Sequence, residues 1–366
     1  MALMTEDSLQ LTELTIPGYE RVIKVHHPEV GLTAFICIHN TTLGPSLGGI
    51  RIYPYASEKE ALNDGLRLAK GMTSKAAITE CGFGGGKSVI MLDPTRGKTA
   101  AMLRSFAQAV HSLEGQYICA EDVGCTLEDM GIIGEMTPYA VGLPSKRSSG
   151  DPSPFTAWGT FRGIQATAYQ IFGSDHLEGK VIALQGLGSV GGKLGELLFW
   201  AGATLIVSDI QEEKCIQFAR KTSARIVSNE EIFRVPCDIF APCALGAILN
   251  EKTIPQLQCR GVAGCANNQL LLESDAELLH RYGILYAPDF LINSGGLINV
   301  AQELEPGGYY PAYARAKTHR IYDQLTTVYE IAKTRGISTQ RAVMSLVDYR
   351  LQYGVGKRTT PPSFLK

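Results

Sequence analysis

Residues 180–209 read K-V-I-A-L-Q-G-L-G-S-V-G-G-K-L-G-E-L-L-F-W-A-G-A-T-L-I-V-S-D. An apolar run, Val181–Gln185, stops at a G-x-G-x-x-G spacing formed by Gly186, Gly188 and Gly191. Val190, Leu194 and Leu197 then recur at helical intervals, and a second apolar run, Thr204–Ser208, closes on Asp209. A strand, a tight turn, a helix and another strand in so short a span predict the opening of a parallel α/β sheet. In that setting Gly186 permits the turn, Gly188 lets a pyrophosphate touch the backbone, and Gly191 lets helix and sheet pack closely. Ser189 and Val190 fall at the helix start, where unpaired N–H groups and the positive dipole end attract phosphate. Asp209 can accept hydrogen bonds from a ribose 2′-OH and would repel a 2′-phosphate, so the expected cofactor is NAD rather than NADP.

The rest of the chain supports two domains with this one placed second. With 366 residues and 45% hydrophobic content it can build two sizeable cores. Segments before residue 145 mix strands (Thr33–His39, Ser88–Leu92, Gln116–Cys119) with helices, one opened by Ser57 and Glu60 as a capping box and one over Ala100–Leu113. S-K-R-S-S-G-D-P-S-P at Ser145–Pro154 reads as a linker. Beyond it strands at Val181–Gln185, Thr204–Ser208, Asp238–Ala241, Gly261–Gly264 and Ile284–Ala287 alternate with helices. A long helix is predicted from about Ala312, with Ile321, Leu325, Val328 and Ile331 on one face, and another after Ser338. The expected division is residues 1–145 as an α/β substrate-binding and catalytic domain, 146–330 as a Rossmann-type domain, and the last helices, about 331–366, returning to the first.

Composition excludes several partners. The net charge is −2 and no block of five or six basic residues occurs, which argues against nucleic acid and anionic membrane. No apolar run approaches the roughly 18 residues of a membrane span, and the first ten residues lack the pattern of a signal peptide. Nine cysteines, with Cys119/Cys125, Cys237/Cys243 and Cys259/Cys265 each six apart, contain no C-x-x-C. They read as reduced thiols of a cytoplasmic protein. The seven histidines show no ligand spacing, so no metal site is expected.

Chemistry concentrates in the first half. E-C-G-F-G-G-G-K places three consecutive glycines, Gly84–Gly86, before Lys87; Lys75 precedes them in G-M-T-S-K, and Asp122 follows a strand in A-E-D-V-G. Two ammonium groups and a carboxylate suit an anionic, amino-acid-like substrate: one amine pairs with a carboxylate, and a desolvated one near another cation exchanges protons. Each residue alone reads equally as a surface lysine or a helix cap; the combination carries the signal.

Through these residues and their flanking motifs the chain resembles the Glu/Leu/Phe/Val dehydrogenases from about Gly31 to about Arg350. The motifs are L-G-P-S-L-G-G-I-R, L-A-K-G-M-T-S-K, G-F-G-G-G-K, A-E-D-V-G, S-S-G-D-P-S-P-F-T-A, V-I-A-L-Q-G-L-G-S-V-G, I-F-A-P-C-A-L-G-A, C-A-N-N-Q-L and A-P-D-F-L-I-N-S-G-G-L-I-N-V. The resemblance implies that Lys75 holds the substrate α-carboxylate, that Lys87 is the catalytic lysine and that Asp122 transfers protons. It implies that Thr156 and Asn267 approach the nicotinamide and its ribose, with Asn268 near the substrate, in a cleft between the domains. The implied reaction is reversible oxidative deamination to a 2-oxo acid and ammonium by a homo-oligomer. The glycines before Lys87 would let substrate and cofactor lie against the main chain. Leu47 stands where glutamate-specific relatives carry a lysine, so an apolar side chain is expected; Ala120, Val141, Leu297 and Val300 complete the implied pocket. A branched-chain amino acid is the first expectation and an aromatic one the second, since Val141 and Leu297 depart from the branched-chain pattern.

Overall fold

The computed structural model describes residues 8–144 and 148–364, so Ser145–Arg147 of the expected linker and the last two residues lie outside the described residues. The chain forms two compact units. The first takes residues up to Asp151, Val300–Pro311 and those from Tyr349 on; the second takes Pro152–Asn299 and Ala312–Asp348.

The first unit is built on six strands: β1 (Gln10–Glu13), β2 (Arg21–His27), β3 (Leu32–Asn40), β4 (Ser46–Tyr53), β5 (Gly84–Met91) and β6 (Tyr117–Glu121). Their spatial order is β1-β2-β3-β5-β4-β6. The first three and β5 pair antiparallel, while β5, β4 and β6 run parallel. Three helices accompany them: α1 (Glu58–Thr79), α2 (Ala100–His111) and α3 (Leu127–Met136). Side-chain alternation sorts the faces. Phe35, Cys37 and Val89 form one core cluster with Ala61 and Ala69 of α1. Ile36, Ile38, Ile50 and Ile90 form another with Met102 and Phe106 of α2 and Met130 and Ile133 of α3. The sheet is therefore covered on both sides.

Helix starts follow local chemistry. Ser57 accepts from the Glu60 N–H at 3.2 Å, but the Glu60 carboxylate accepts from Ala56 N at 3.1 Å, one residue before the reciprocal partner the capping-box pattern implies. At α3 the reciprocal box does close, between Thr126 and Asp129.

The second unit holds α4 (Ser153–Phe172), β7 (Val181–Gln185), α5 (Gly191–Trp200), β8 (Thr204–Ser208), α6 (Glu212–Thr222), β9 (Arg225–Ile226), β10 (Ile239–Pro242), β11 (Gly261–Val262), α7 (Asp275–Arg281), β12 (Leu285–Tyr286), α8 (Asp289–Ile292), α9 (Gly295–Ala301), α10 (Pro311–His319), α11 (Ile321–Arg335) and α12 (Thr339–Tyr353). All six strands are parallel, in the order β12-β11-β10-β7-β8-β9. This is the doubly wound Rossmann order, with its switch point between β7 and β10.

Three features differ from the sequence expectation. Residues from Ser153 begin a 20-residue helix rather than continuing a linker. The long helix predicted from Ala312 is two, because Arg320 folds into a turn with its N–H on Lys317 O at 3.2 Å. The chain from residue 331 to Asp348 packs with the second unit, and only from Tyr349 on does it return to the first. The physical reason is the fit of α11 on α4. A Cβ on Gly159 would stand 2.6 Å from Ile321 Cδ1, and one on Gly163 2.9 Å from Leu325 Cδ1, so the two helices approach through missing side chains. Only the end of α12 and the tail join the first unit. Arg350 pairs with Glu80 at 2.8 Å. Arg358 pairs with Glu305 at 2.6 Å and lies over the Phe83 ring at 4.3 Å.

Candidate active site

Three parallel strands bring the reactive groups together. Gly49 of central β4 pairs with Ala120 of β6, and Arg51 of β4 pairs with Val89 of β5. Lys87 and Val89 share a face of β5 by alternation, as Gly49 and Arg51 share a face of β4. Val89 packs with α1, so all four point to the α1 side. Asp122 follows the end of β6, and its Oδ2 lies 2.9 Å from Lys87 Nζ. Gly49 is what lets them meet: a Cβ there would sit 2.7 Å from Asp122 Cβ and 3.1 Å from Lys87 Nζ.

The pair belongs to a larger network. Arg51 Nε donates to the same Asp122 oxygen at 3.0 Å, and Arg51 Nη1 reaches Asp64 Oδ2 on α1 at 3.1 Å. Tyr55 OH donates to that Asp64 oxygen at 2.7 Å, and Arg67 pairs with the other at 2.9 Å. Lys87 is only 5% exposed. Burial holds its ammonium below the ordinary lysine value; Asp122 pulls the other way and Arg51 adds to the depression. Burial opposes ionisation of Asp122 too, but Lys87 and Arg51 outweigh it and keep the carboxyl below its usual range. The site thus holds a carboxylate kept below its usual range against an amine kept below its own. Asp122 does not cap α3; Thr126 does. Sequence reasoning gave no role to Gly49 or Arg51, whose only signal was G-G-I-R.

The glycine run has a different cause from the one expected. Gly84–Gly86 are not a loop; they open β5 and are buried. A Cβ on Gly84 would lie 2.1 Å from Asn40 O, one on Gly85 2.1 Å from Thr73 N, and one on Gly86 2.9 Å from Ser46 Oγ. Protein atoms occupy the space: backbone at Gly84 and Gly85, and the Ser46 and Tyr117 side chains at Gly86. α1 therefore rests directly on β5 through Thr73, and half-buried Lys75 is carried by the same helix turn.

The other expected pocket residues are spread over both units. Leu47, 1% exposed, sits on the Gly49 face of β4 between Gly85 and Ile118. Ala120 is half-buried on β6. Val141 is buried and donates its N–H to Cys119 O at 2.9 Å. Its neighbour Gly142 donates to Glu303 at 3.2 Å, tying that loop to the segment that begins at Val300. Leu297 lies half-buried on α9 and is counted with the second unit, whereas Val300 on the same helix is counted with the first.

In the second unit the three glycines of the turn divide cleanly. Gly186 has a positive φ of 98°, and a Cβ there would come within 2.9 Å of Ala244. A Cβ on Gly191 would be 2.0 Å from Gly186 O. Gly188 has nothing within 4 Å, so no protein contact explains its missing side chain. Exposed Ser189 and half-buried Val190 lead into α5, where Gly192 and Leu194 donate their N–H groups to Gly188 O and Val190 O, each at 2.9 Å. Asp209 accepts from Leu187 N at 2.7 Å and from Gln211 N at 2.8 Å, one bond to each carboxylate oxygen. Each oxygen keeps capacity for a ribose hydroxyl. Thr156, in the first turn of α4, bonds Pro152 O at 3.1 Å and abuts Gly296. Asn267 accepts from Asn293 Nδ2 at 2.7 Å; Asn268, in the left-handed region at φ 51°, is exposed beside it. Among the described residues no group of three or more His, Cys, Asp or Glu could hold a metal ion, and no helix is long and apolar enough to cross a membrane.

A doubly wound sheet with a phosphate-type turn, joined in one chain to a sheet that buries a lysine–carboxylate pair, defines a two-domain α/β dehydrogenase. Residues 19–139 match the Glu/Leu/Phe/Val dehydrogenase dimerisation domain, and residues 203–306 match Glutamate/Leucine/Phenylalanine/Valine dehydrogenase. Leucine dehydrogenase of Thermoactinomyces intermedius is 48% identical over 95% of this chain and 94% of its own length. Phenylalanine dehydrogenase of Caldalkalibacillus thermarum is 43% identical, covering 92% of each. The solved structure of L-tryptophan dehydrogenase from Nostoc punctiforme superposes with a TM-score of 0.82 at 42% identity, over 92% of this chain and 97% of that one. The chain belongs to the Glu/Leu/Phe/Val dehydrogenase family and is an amino-acid dehydrogenase, an oxidoreductase.

Proposed function

We propose that the protein catalyses reversible NAD-dependent oxidative deamination of a branched-chain L-amino acid, leucine first and valine and isoleucine with it, to the 2-oxo acid, ammonium and NADH. The observation that carries this reading is the buried Lys87 held 2.9 Å from Asp122. NAD, when bound, supplies the acceptor for the hydride on the substrate Cα. Open space at Gly188, the start of α5 and the Asp209 carboxylate suit such a group, with Thr156 and Asn267 assigned to its nicotinamide end.

Lys75 pairs with the substrate α-carboxylate, and Asn268 orients the amino group. Neutral Lys87 takes a proton from water as its oxygen attacks the imine carbon. Asp122, ionised and in contact with the resulting Lys87 ammonium, relays a proton to the departing nitrogen. The C–N bond breaks as the hydroxyl left by the attacking water gives its proton to the departing ammonia, leaving 2-oxo acid and ammonium. Arg51 holds Asp122 at Lys87 through both turns of this cycle.

Leu47 supports the apolar substrate. A glutamate side chain buried against it would lack a cation, which costs several kcal/mol. Ala120, Val141, Leu297 and Val300 are assigned to the same pocket. Phenylalanine or another aromatic amino acid is the second reading, favoured by the phenylalanine and tryptophan dehydrogenases at 43% and 42% identity. We assign the protein a homo-oligomeric state and a reducing, cytoplasmic compartment; its nine cysteines are all free thiols. NADH formation with a panel of L-amino acids tests the reading. Leucine, valine and isoleucine should be turned over in preference; faster turnover of phenylalanine would select the second reading, and glutamate alone would defeat both.

A further inference from the structure

The six-residue cysteine spacing repeats on two adjacent strands, and their register aligns it. Ile239 pairs with Gly261 and Phe240 with Val262, an offset of 22 residues. The same offset sets Cys237 beside Cys259 before the strands and Cys243 beside Cys265 after them. The second pair lies at the end of the sheet that carries the G-x-G-x-x-G turn. Cys243 donates its N–H to Gln185 O at 2.7 Å, and its Cβ would be 3.2 Å from a Cβ on Gly191. The Cys265 N–H points at Cys243 Sγ at 3.5 Å. The Cys265 carbonyl accepts from Asn293 Nδ2, which also holds Asn267. One cysteine thus lies against the first turn of α5, and the other is tied to Asn267 through Asn293.

We propose that Cys243 and Cys265 are an oxidisable thiol pair, which a hydroperoxide joins into a disulfide that weakens dinucleotide binding; the second half of this rests on the NAD reading above. Cys243 Sγ already lies 3.5 Å from the Cys265 backbone nitrogen, which brings the two residues within reach of each other. Cys243 is half-buried and Cys265 only 8% exposed, which assigns the first attack to Cys243. Its thiolate displaces hydroxide from the peroxide O–O bond and becomes a sulfenic acid. Contact with Cys243 and burial push the Cys265 thiol well up, so it stays protonated until it acts as the resolving group. Its sulfur attacks the sulfenic sulfur, the S–O bond breaks, and the thiol proton leaves with the hydroxide as water. Two thiols are oxidised, one peroxide is reduced, and two waters form.

Packing carries the effect to the turn. The two sulfurs must close from non-bonded contact to a bond of about 2.05 Å. Ala244, next to Cys243, already comes within 2.9 Å of a Cβ position on Gly186. That tight contact passes any movement of Cys243 to the turn.

The test treats the protein with stoichiometric hydrogen peroxide, alkylates remaining thiols, maps peptides without reduction and measures NADH binding by fluorescence. A bridge joining the Cys243 and Cys265 peptides is expected, with NADH affinity lowered about tenfold, restored by dithiothreitol and unaffected by peroxide in Cys265→Ser. Saturating NADH should slow formation of the bridge. Absence of that bridge, or equal loss of affinity in Cys265→Ser, would overturn the proposal. Untreated protein that bound no NADH would overturn the NAD reading instead, while the peptide map still decided the bridge.

Discussion

Burial lowers the proton affinity of the Lys87 amine, and two named neighbours of opposite charge pull on it in opposite directions. Arg51 disfavours its ammonium and Asp122 favours it. Deamination requires the neutral amine, so kcat/KM for leucine should rise with pH along a limb lying below the ordinary lysine value. Arg51→Gln removes a cation and should move that limb to higher pH. Asp122→Asn removes an anion and should move it to lower pH, and losing the proton relay should lower the plateau about 10²–10⁴-fold. Full pH–rate profiles of the three proteins check this; displacement of both limbs in the same direction would separate the network from the titration. Arg51 was not legible in the sequence because its partners lie 13 and 71 residues away. Lys87 and Asp122 were legible only in combination, since each alone has an ordinary structural reading.

At the scale of the element, the glycines separate packing from binding. A Cβ on Gly191 would meet Gly186 O, so Gly191→Ala should lower stability by roughly 1–3 kcal/mol, read from the urea midpoint. Gly188→Ala meets nothing within 4 Å; its urea midpoint should match the parent while the Kd for NADH rises about tenfold or more. Equal stability losses in the two variants would contradict the division. The sequence pattern alone could not make it, because a missing side chain looks the same whether protein or ligand fills the space. For that reason the sequence assigns Gly84–Gly86 to the approach of a ligand, whereas they open a strand packed against other protein atoms. The bounds of β7 and β8 were read to the residue, since each is a short apolar run closed by polar or glycine neighbours. Helix α4 was hidden because Pro152 and Pro154, which a helix accepts in its first turn, look like linker residues. Its glycines at 159 and 163, which admit α11, also thin its apolar stripe.

The whole molecule is two units whose chain crosses more than once, and this was only partly visible beforehand. The G-x-G-x-x-G turn announced the second sheet, but nothing local marked where the C-terminal segments would go. Arg358 shows the long-range chemistry that places the tail: it is 53 residues from its partner Glu305 and 276 from Gly82 O. Arg358→Ala leaves that carboxylate and carbonyl unpaired and should cost about 2–4 kcal/mol, seen in the urea midpoint. In the proposed reaction everything turns on the buried Lys87 amine. The direct measurement is NADH formation from L-leucine by the parent protein and by Lys87→Ala, with folding and NADH binding checked in both. Turnover by the parent, and a loss of about 10³-fold or more in a variant that still folds and binds NADH, is the expected result. A Lys87→Ala protein that oxidised leucine at the parent rate would contradict it.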